Sequence, residues 1–276
     1  MKPLNRRQRF TQKKSLGQVF LREDWPCQKL ADILVQSGVQ TVLEIGPGPG
    51  ILTKVLLGRG LNVTAVEKDD QLADRLREQQ ESMSEHSKFE IIHQDILKFN
   101  LEQWIEEHPG QKLAVCGNVP YNISSPILMW LLPHLEKLKT ATMMVQLEFG
   151  ERVAASHSTK SYGSLTVYTQ LRSKVKLDYM VPRACFKPVP KVDSAVISLK
   201  PLSDKQPDAL LKLVEQITRR SFSQRRKKMS NSLSNLLQNV PANEIPVDLN
   251  RRCETMSPEE FLTIARIIET YNPPGA

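Results

Sequence analysis

Apolar positions along this chain switch between two periods. Cys27, Leu30, Ala31 and Leu34 fall at i, i+3, i+4 and i+7, which predicts a helix opening at Asp24 or Trp25 and ending at Gly38. Val42, Leu43 and Ile45 form a short aliphatic run suited to a strand covered on both faces. Leu52, Val55 and Leu56 return to helical spacing, closed by Gly60. Further strands are predicted at Asn62 to Glu67, Phe89 to His93, Leu113 to Cys116 and Ala141 to Leu147. Ser125-Pro126 reads as a helix start with Ile127 to Leu132 as its buried side, and Glu148 to Ala155 as the helix after the fifth strand. Tyr162 to Leu165 opens another amphipathic segment, followed by strands near Val175 to Val181 and Ala195 to Leu199, an antiparallel closing pair.

From about Pro201 the pattern becomes helical only. Leu210, Leu213, Val214 and Ile217 make one stripe, Leu233, Leu236, Leu237 and Val240 a second, and Phe261, Ile264, Ala265 and Ile268 a third. The third follows Ser257-Pro258-Glu259-Glu260, a capping box with proline in first position. The expected class is therefore α/β, a Rossmann-like sheet over residues 1–200 with a small all-helical domain over 201–276.

Strand and helix meet at Glu44-Ile45-Gly46-Pro47-Gly48-Pro49-Gly50. Glycines there let the backbone take positive φ and approach a ligand closely. A dinucleotide fingerprint requires glycine or alanine where Ile51 stands, so the spacing favours S-adenosylmethionine over NAD. Glu67, at the end of the next strand, offers two acceptor oxygens to a ribose diol. Asp95, followed by Ile96, stands at the end of the third strand, where its carboxylate suits an adenine amino group.

After the fourth strand comes Asn118-Val119-Pro120-Tyr121. An exocyclic adenine amine is a poor nucleophile because its lone pair is delocalised into the ring. Two acceptors, the Asn118 side-chain oxygen and the Val119 carbonyl, would favour a pyramidal nitrogen facing a methyl donor. Pro120 stiffens the turn and Tyr121 offers a stacking surface. Phe186, in a proline-rich loop with Lys187 and Lys191, is a second candidate for packing against the base.

Charge adds a partner. Lys and Arg number 38 against 30 Asp and Glu, a formal charge of +8 with a pI near 9.3. The excess is clustered: Lys2, Arg6, Arg7, Arg9, Lys13, Lys14 and Arg22 stand in an N-terminal stretch without acids, and Arg219, Arg220, Arg225, Arg226, Lys227 and Lys228 lie within ten residues. Both clusters suit phosphate contacts. The four cysteines have no metal-ligand spacing, and no apolar run approaches the ~20 residues of a membrane span. A cytoplasmic, metal-free and monomeric protein is expected. The acid-free N-terminus is like an organelle transit peptide in composition, but it runs directly into the motif at Lys13.

The set Lys13 to Leu21 (K-K-S-L-G-Q-V-F-L), Glu44 to Gly50, Val66-Glu67, Gln94-Asp95, Asn118 to Tyr121, Phe186 to Val196 and Phe222 to Lys227 resembles the ribosomal RNA adenine N6,N6-dimethyltransferases of the KsgA type, in order along almost the whole chain. That resemblance implies S-adenosylmethionine-dependent dimethylation of two neighbouring adenosines in a 3′-end hairpin of small-subunit rRNA, free or in an assembling subunit. It implies cofactor contacts at Val19, Leu21, Gly46, Glu67, Asp95 and Asn118, to which the strand-end turn adds Glu44, Gly48 and Ile96. It implies base contacts at Asn118, Val119, Tyr121 and Phe186. Val19 departs from the family, which usually has His or Asn there. Rival readings are a large-subunit rRNA adenine methyltransferase of the antibiotic-resistance type and a non-catalytic RNA-binding assembly factor on the same fold.

Overall fold

The computed structural model describes residues 19–83 and 87–271. In chain order its elements are β1 (Phe20–Leu21), α1 (Trp25–Gln36), β2 (Thr41–Ile45), α2 (Ile51–Gly58), β3 (Asn62–Glu67), α3 (Asp70–Met83) and β4 (Phe89–His93). Then come α4 (Leu101–Glu106), β5 (Leu113–Asn118), α5 (Ser124–Leu131), β6 (Thr140–Gln146), α6 (Leu147–Val153) and α7 (Ser164–Gln170). The chain continues through β7 (Ser173–Val181), β8 (Phe186–Lys187), β9 (Ser194–Pro201), α8 (Asp208–Ser223), α9 (Met229–Ser232) and α10 (Pro258–Tyr271).

Seven strands form one sheet in the order β4-β3-β2-β5-β6-β9-β7. The first five are parallel, and β9 pairs antiparallel with both β6 and β7, as the expected closing pair does. Strand order reverses between β2 and β5, and such a switch point opens a crevice at the strands' carboxyl ends.

Alternation along the strands divides the core. Val42, Ala114, Cys116 and Met144 face one layer with Leu30 and Leu34 of α1 and Leu56 of α2. Leu43, Ile45, Val115, Met143 and Val145 face the other, with Leu101 of α4 and Ile127 and Leu128 of α5. Because both faces are covered, the central strands read as continuous apolar runs.

A third core joins α8 and α10 to the α/β part. Leu210, Val214, Ile217, Phe261 and Ile264 pack in one cluster with Tyr162, Val167 and Leu171, so the helical segment shares its interior with residues before position 201. The capping box of α10 forms: Ser257 N–H donates to Glu260 Oε2 at 2.8 Å and Glu260 N–H to Ser257 Oγ at 3.2 Å.

Two helix expectations need correction. The stripe from Leu233 to Val240 is buried or half-buried, but α9 is a single turn that ends at Ser232 and turns follow it. Ser230, Asn231, Ser232, Ser234 and Asn235 crowd this stretch, and such side chains compete for backbone hydrogen bonds. Ser232 Oγ, for example, donates to the Met229 carbonyl at 3.1 Å. At α5 the helix starts at Ser124, fed by a 3₁₀ turn over Tyr121–Ile123, so Pro126 lies in the third position instead of the first. The two-residue pair β1–β8 was not foreseen, since neither strand is long enough to show a period.

Candidate active site

All nine residues expected to hold a cofactor line one cavity at the switch point: Val19, Leu21, Glu44, Gly46, Gly48, Glu67, Asp95, Ile96 and Asn118. Asn118, Val119, Pro120 and Tyr121 line it too, whereas Phe186 does not. The carboxyl ends of β2, β3, β4 and β5 bring most of these positions together, and the segment at β1 adds Val19 and Leu21.

The glycine turn works by positive φ: Gly46 at 60°, Gly48 at 57° and Gly50 at 82°. At Gly48 a β-carbon would stand 3.1 Å from the Phe20 ring, so the turn closes directly under β1. Glu67 ties the turn to β3, its Oε2 accepting from Gly48 N–H at 3.0 Å and its Oε1 from Asp69 N–H at 2.8 Å. Burial raises its carboxyl above the ordinary range, and those backbone donors hold the rise back. The carboxylate has about four acceptor positions, so capacity beyond these backbone donors is left for a ligand hydroxyl.

Glu44 lies beneath the turn, 1% exposed. Its Oε2 accepts from Thr53 Oγ1 at 2.7 Å, and burial, with Glu67 nearby, pushes its carboxyl up to about 8. Asp95 is the opposite case. Lys68 Nζ, 2.7 Å from Asp95 Oδ2, holds that carboxyl below its ordinary value, while Asp95 Oδ1 accepts from Leu97 N–H at 3.0 Å. Lys68 and Thr53 were missed in the sequence, because only the folded turn shows that residues beside Glu67 and one turn into α2 reach these carboxylates.

At the end of β5, Asn118 Nδ2 donates to the Val19 carbonyl at 3.0 Å. The bond fixes the amide plane and reserves Oδ1 as an acceptor. Val19 thus reaches Asn118 through its backbone carbonyl, a contact that does not depend on its side chain. Val119 N–H donates to the Met144 carbonyl at 3.0 Å, which sets the plane of the turn on β6. Tyr121 OH pairs with Ser194 Oγ at 2.6 Å, and burial raises its phenol pKa. Ser194, at the start of β9, lies within the Phe186 to Val196 run, but only the fold shows that it reaches Tyr121.

Phe186 has no exposed surface. In β8 it pairs with Leu21, and its ring belongs to the core with Cys27, Val181 and Val196, so in this structure it presents no face to a base. An aromatic in a short strand covered by α1 is drawn into the core by its area.

The basic residues separate into groups. Arg6, Arg7, Lys13 and Lys14 lie outside the described residues. Lys187, Lys191, Arg219, Arg226, Lys227 and Lys228 are exposed. Arg219 pairs with Glu215 at 3.3 Å, and Lys228 Nζ donates to Asn250 at 3.3 Å. Arg220 and Arg225 differ from the expectation of simple phosphate contacts: Arg220 Nε donates to the Ser232 carbonyl at 2.7 Å, and Arg225 donates to the carbonyls of Lys160 and Tyr162 at 3.3 and 3.1 Å.

Among the described residues no cluster of three metal-ligating side chains occurs, and no helix is long and apolar enough to cross a membrane. A switch-point cavity with a glycine turn, two strand-end carboxylates and an Asn-Val-Pro-Tyr turn defines a Rossmann-like methyltransferase. The chain belongs to the ribosomal RNA adenine dimethylase family, whose family model matches residues 9–270. It is 36% identical over 258 residues to ribosomal RNA small subunit methyltransferase A of Francisella tularensis subsp. novicida, covering 93% of this chain and 97% of that one. Among solved structures it resembles the 23S rRNA methyltransferase ErmE (30% identity, TM-score 0.68, 91% and 99% of the two chains). A dimethyladenosine transferase from Plasmodium falciparum has the same fold (24% identity, TM-score 0.70, 89% and 95%).

Proposed function

We propose that this protein dimethylates the exocyclic N6 of two adjacent adenosines in the 3′-end hairpin of small-subunit rRNA, with S-adenosylmethionine as methyl donor. The observation that carries the reading is the oriented Asn118 amide, whose Nδ2 is committed to Val19 and whose Oδ1 faces no other described partner. The donor set fits the cofactor: Glu67 suits the ribose diol and Asp95 and Ile96 the adenine, while the buried, proton-holding Glu44 carboxyl offers the cationic end an acceptor oxygen, and a cation bound there would favour its ionised form. When bound, S-adenosylmethionine supplies an electrophilic methyl group on a sulfonium and leaves as a neutral thioether.

Each transfer forms one N–C bond, and the displaced N6 proton passes to water. The chain's own residues orient and exclude. Asn118 Oδ1 and the Val119 carbonyl accept from the two N6–H bonds, which turns the lone pair towards the donor. After the first methyl one N–H remains, so a single acceptor suffices for the second. Tyr121, its hydroxyl held by Ser194, presents its ring to the extruded base.

A small-subunit target is favoured over a large-subunit one because the relative named for the small subunit is 36% identical and ErmE 30%. The test is methyl transfer from labelled S-adenosylmethionine to unmodified small and large subunits, with dimethyladenosine mapped in each. Asn118→Ala should lower transfer roughly 10²–10³-fold while the melting midpoint changes little. Native activity in that variant, or label confined to large subunits, defeats the proposal.

A further inference from the structure

The turn between β8 and β9, residues 188–193, joins two segments that support the cavity wall from behind. At its start β8 pairs with β1, whose Phe20 and Leu21 line the cavity. At its end Ser194 holds the Tyr121 hydroxyl at 2.6 Å. The turn is also stiff. Pro188 and Pro190 fix two φ angles. Asp193 Oδ1 accepts from Arg183 N–H at 2.8 Å, the Asp193 carbonyl from Leu147 N–H at 3.0 Å, and the Lys191 carbonyl from the Arg183 guanidinium at 3.4 Å.

On this stiff turn two apolar side chains point outward. Val189 is 58% exposed and Val192 43%, two of the seven large apolar side chains exposed among the described residues. Phe186, the turn's aromatic, is fully buried, so the apolar surface offered to a substrate belongs to the valines. Around them stand Arg183, Lys187 and Lys191, all exposed. A nucleic acid matches both features, with phosphates for the cations and base faces for the apolar tip.

We propose that Val189 and Val192 act as an apolar wedge that enters the base stack of structured RNA beside the acceptor adenosine, with Arg183, Lys187 and Lys191 holding the adjoining phosphates. The inference rests on the reading of this chain as an adenine N6-methyltransferase. A base cannot reach Asn118 and Tyr121 while it is stacked, and extruding it leaves a gap. A β-branched side chain on a rigid support fills such a gap without ordering a flexible one.

The test compares the full native chain with Val189→Ser/Val192→Ser and Val189→Leu/Val192→Leu. The probe is a small-subunit rRNA hairpin carrying 2-aminopurine next to the acceptor adenosine, whose fluorescence rises on unstacking and needs no methyl transfer. Native protein at saturation should raise the fluorescence, the double serine variant should bind without raising it, and the double leucine variant should restore the rise. Methyl transfer by the serine variant should fall about tenfold on the structured hairpin and less than about twofold on an unstructured strand of the same sequence. Both valines are exposed, so melting should not change.

A serine variant that unstacks normally overturns the wedge, as does an equal loss on both RNAs. Normal unstacking with weakened subunit binding would assign the valines to a protein contact, which also overturns it. If the native chain unstacks the hairpin but transfers no methyl, the activity reading falls and the wedge stands. If it methylates without unstacking, the wedge falls and the activity stands.

Discussion

The carboxyl edge of the sheet and the end of α8 treat their polar groups in opposite ways. At the sheet edge Glu44, Glu67 and Asn118 each occupy the last or second-last position of a strand, and parallel register brings all three to one cavity. Along α8 and just beyond it, neighbouring arginines diverge: Arg225 is half-buried and bonded to the carbonyls of Lys160 and Tyr162, while Arg226 is exposed. A strand end has one direction available once the sheet forms. A cation on a helix end takes whichever acceptor the tertiary packing leaves within reach.

The strongest way to break the first half of that contrast is to disturb the register itself. Gly117, on β5, pairs with Ile45, and a β-carbon there would come within 2.5 Å of the Ile45 carbonyl oxygen, an atom of the backbone. Neither strand can yield without shifting Asn118. Gly117→Ala should therefore cost about 3 kcal/mol or more in urea unfolding. Gly46→Ala is the control, since its β-carbon would meet nothing within 4 Å and only its φ of +60° is unfavourable. That variant should lose about 1 kcal/mol. Equal losses would mean that the glycine turn, and not the β2–β5 contact, sets the site.

These two glycines also show what could be read in advance. Gly46 belongs to a motif whose spacing announces a turn, whereas Gly117 looks like an ordinary residue between Cys116 and Asn118 until β2 lies against β5. The strands and the cavity residues at their carboxyl ends, Asn118 among them, were legible because each depends on local period plus sheet register; the bond from Asn118 to the Val19 carbonyl was not. Burial of Phe186, the Lys68–Asp95 pair and the single turn at α9 were not, because each depends on what packs beside it.

A second test acts on the charge stored at the sheet edge. The Glu44 carboxyl ionises near 8 in the folded chain against an ordinary value of 4.5. The folded state therefore holds a proton that the unfolded state has released, so stability falls as pH rises from about 4.5 to about 8 and levels off above. Glu44→Gln keeps an acceptor for Thr53 and removes the titration. Measured by denaturation from pH 5 to 8, the native protein should lose on the order of 3 kcal/mol relative to this variant. Parallel curves would show that the carboxyl is charged in the folded chain throughout that range.

The smallest expected effects lie in the second half of the contrast. Arg225→Ala removes hydrogen bonds between the segment after α8 and the 159–162 turn, together with the guanidinium 5.8 Å from the Phe222 ring. It should cost about 1.5 kcal/mol of stability, the usual worth of hydrogen bonds from a charged donor. Arg226→Gln/Lys227→Gln touches two exposed side chains, so melting should be unchanged. RNA affinity should instead fall, with the slope of log affinity against log salt reduced by roughly 1.5 for two lost phosphate contacts. If the Arg225 variant lowers the salt slope and leaves stability intact, Arg225 turns from its carbonyl partners to phosphate when RNA binds. The division between structural and solvent-facing arginines then holds only for the free protein.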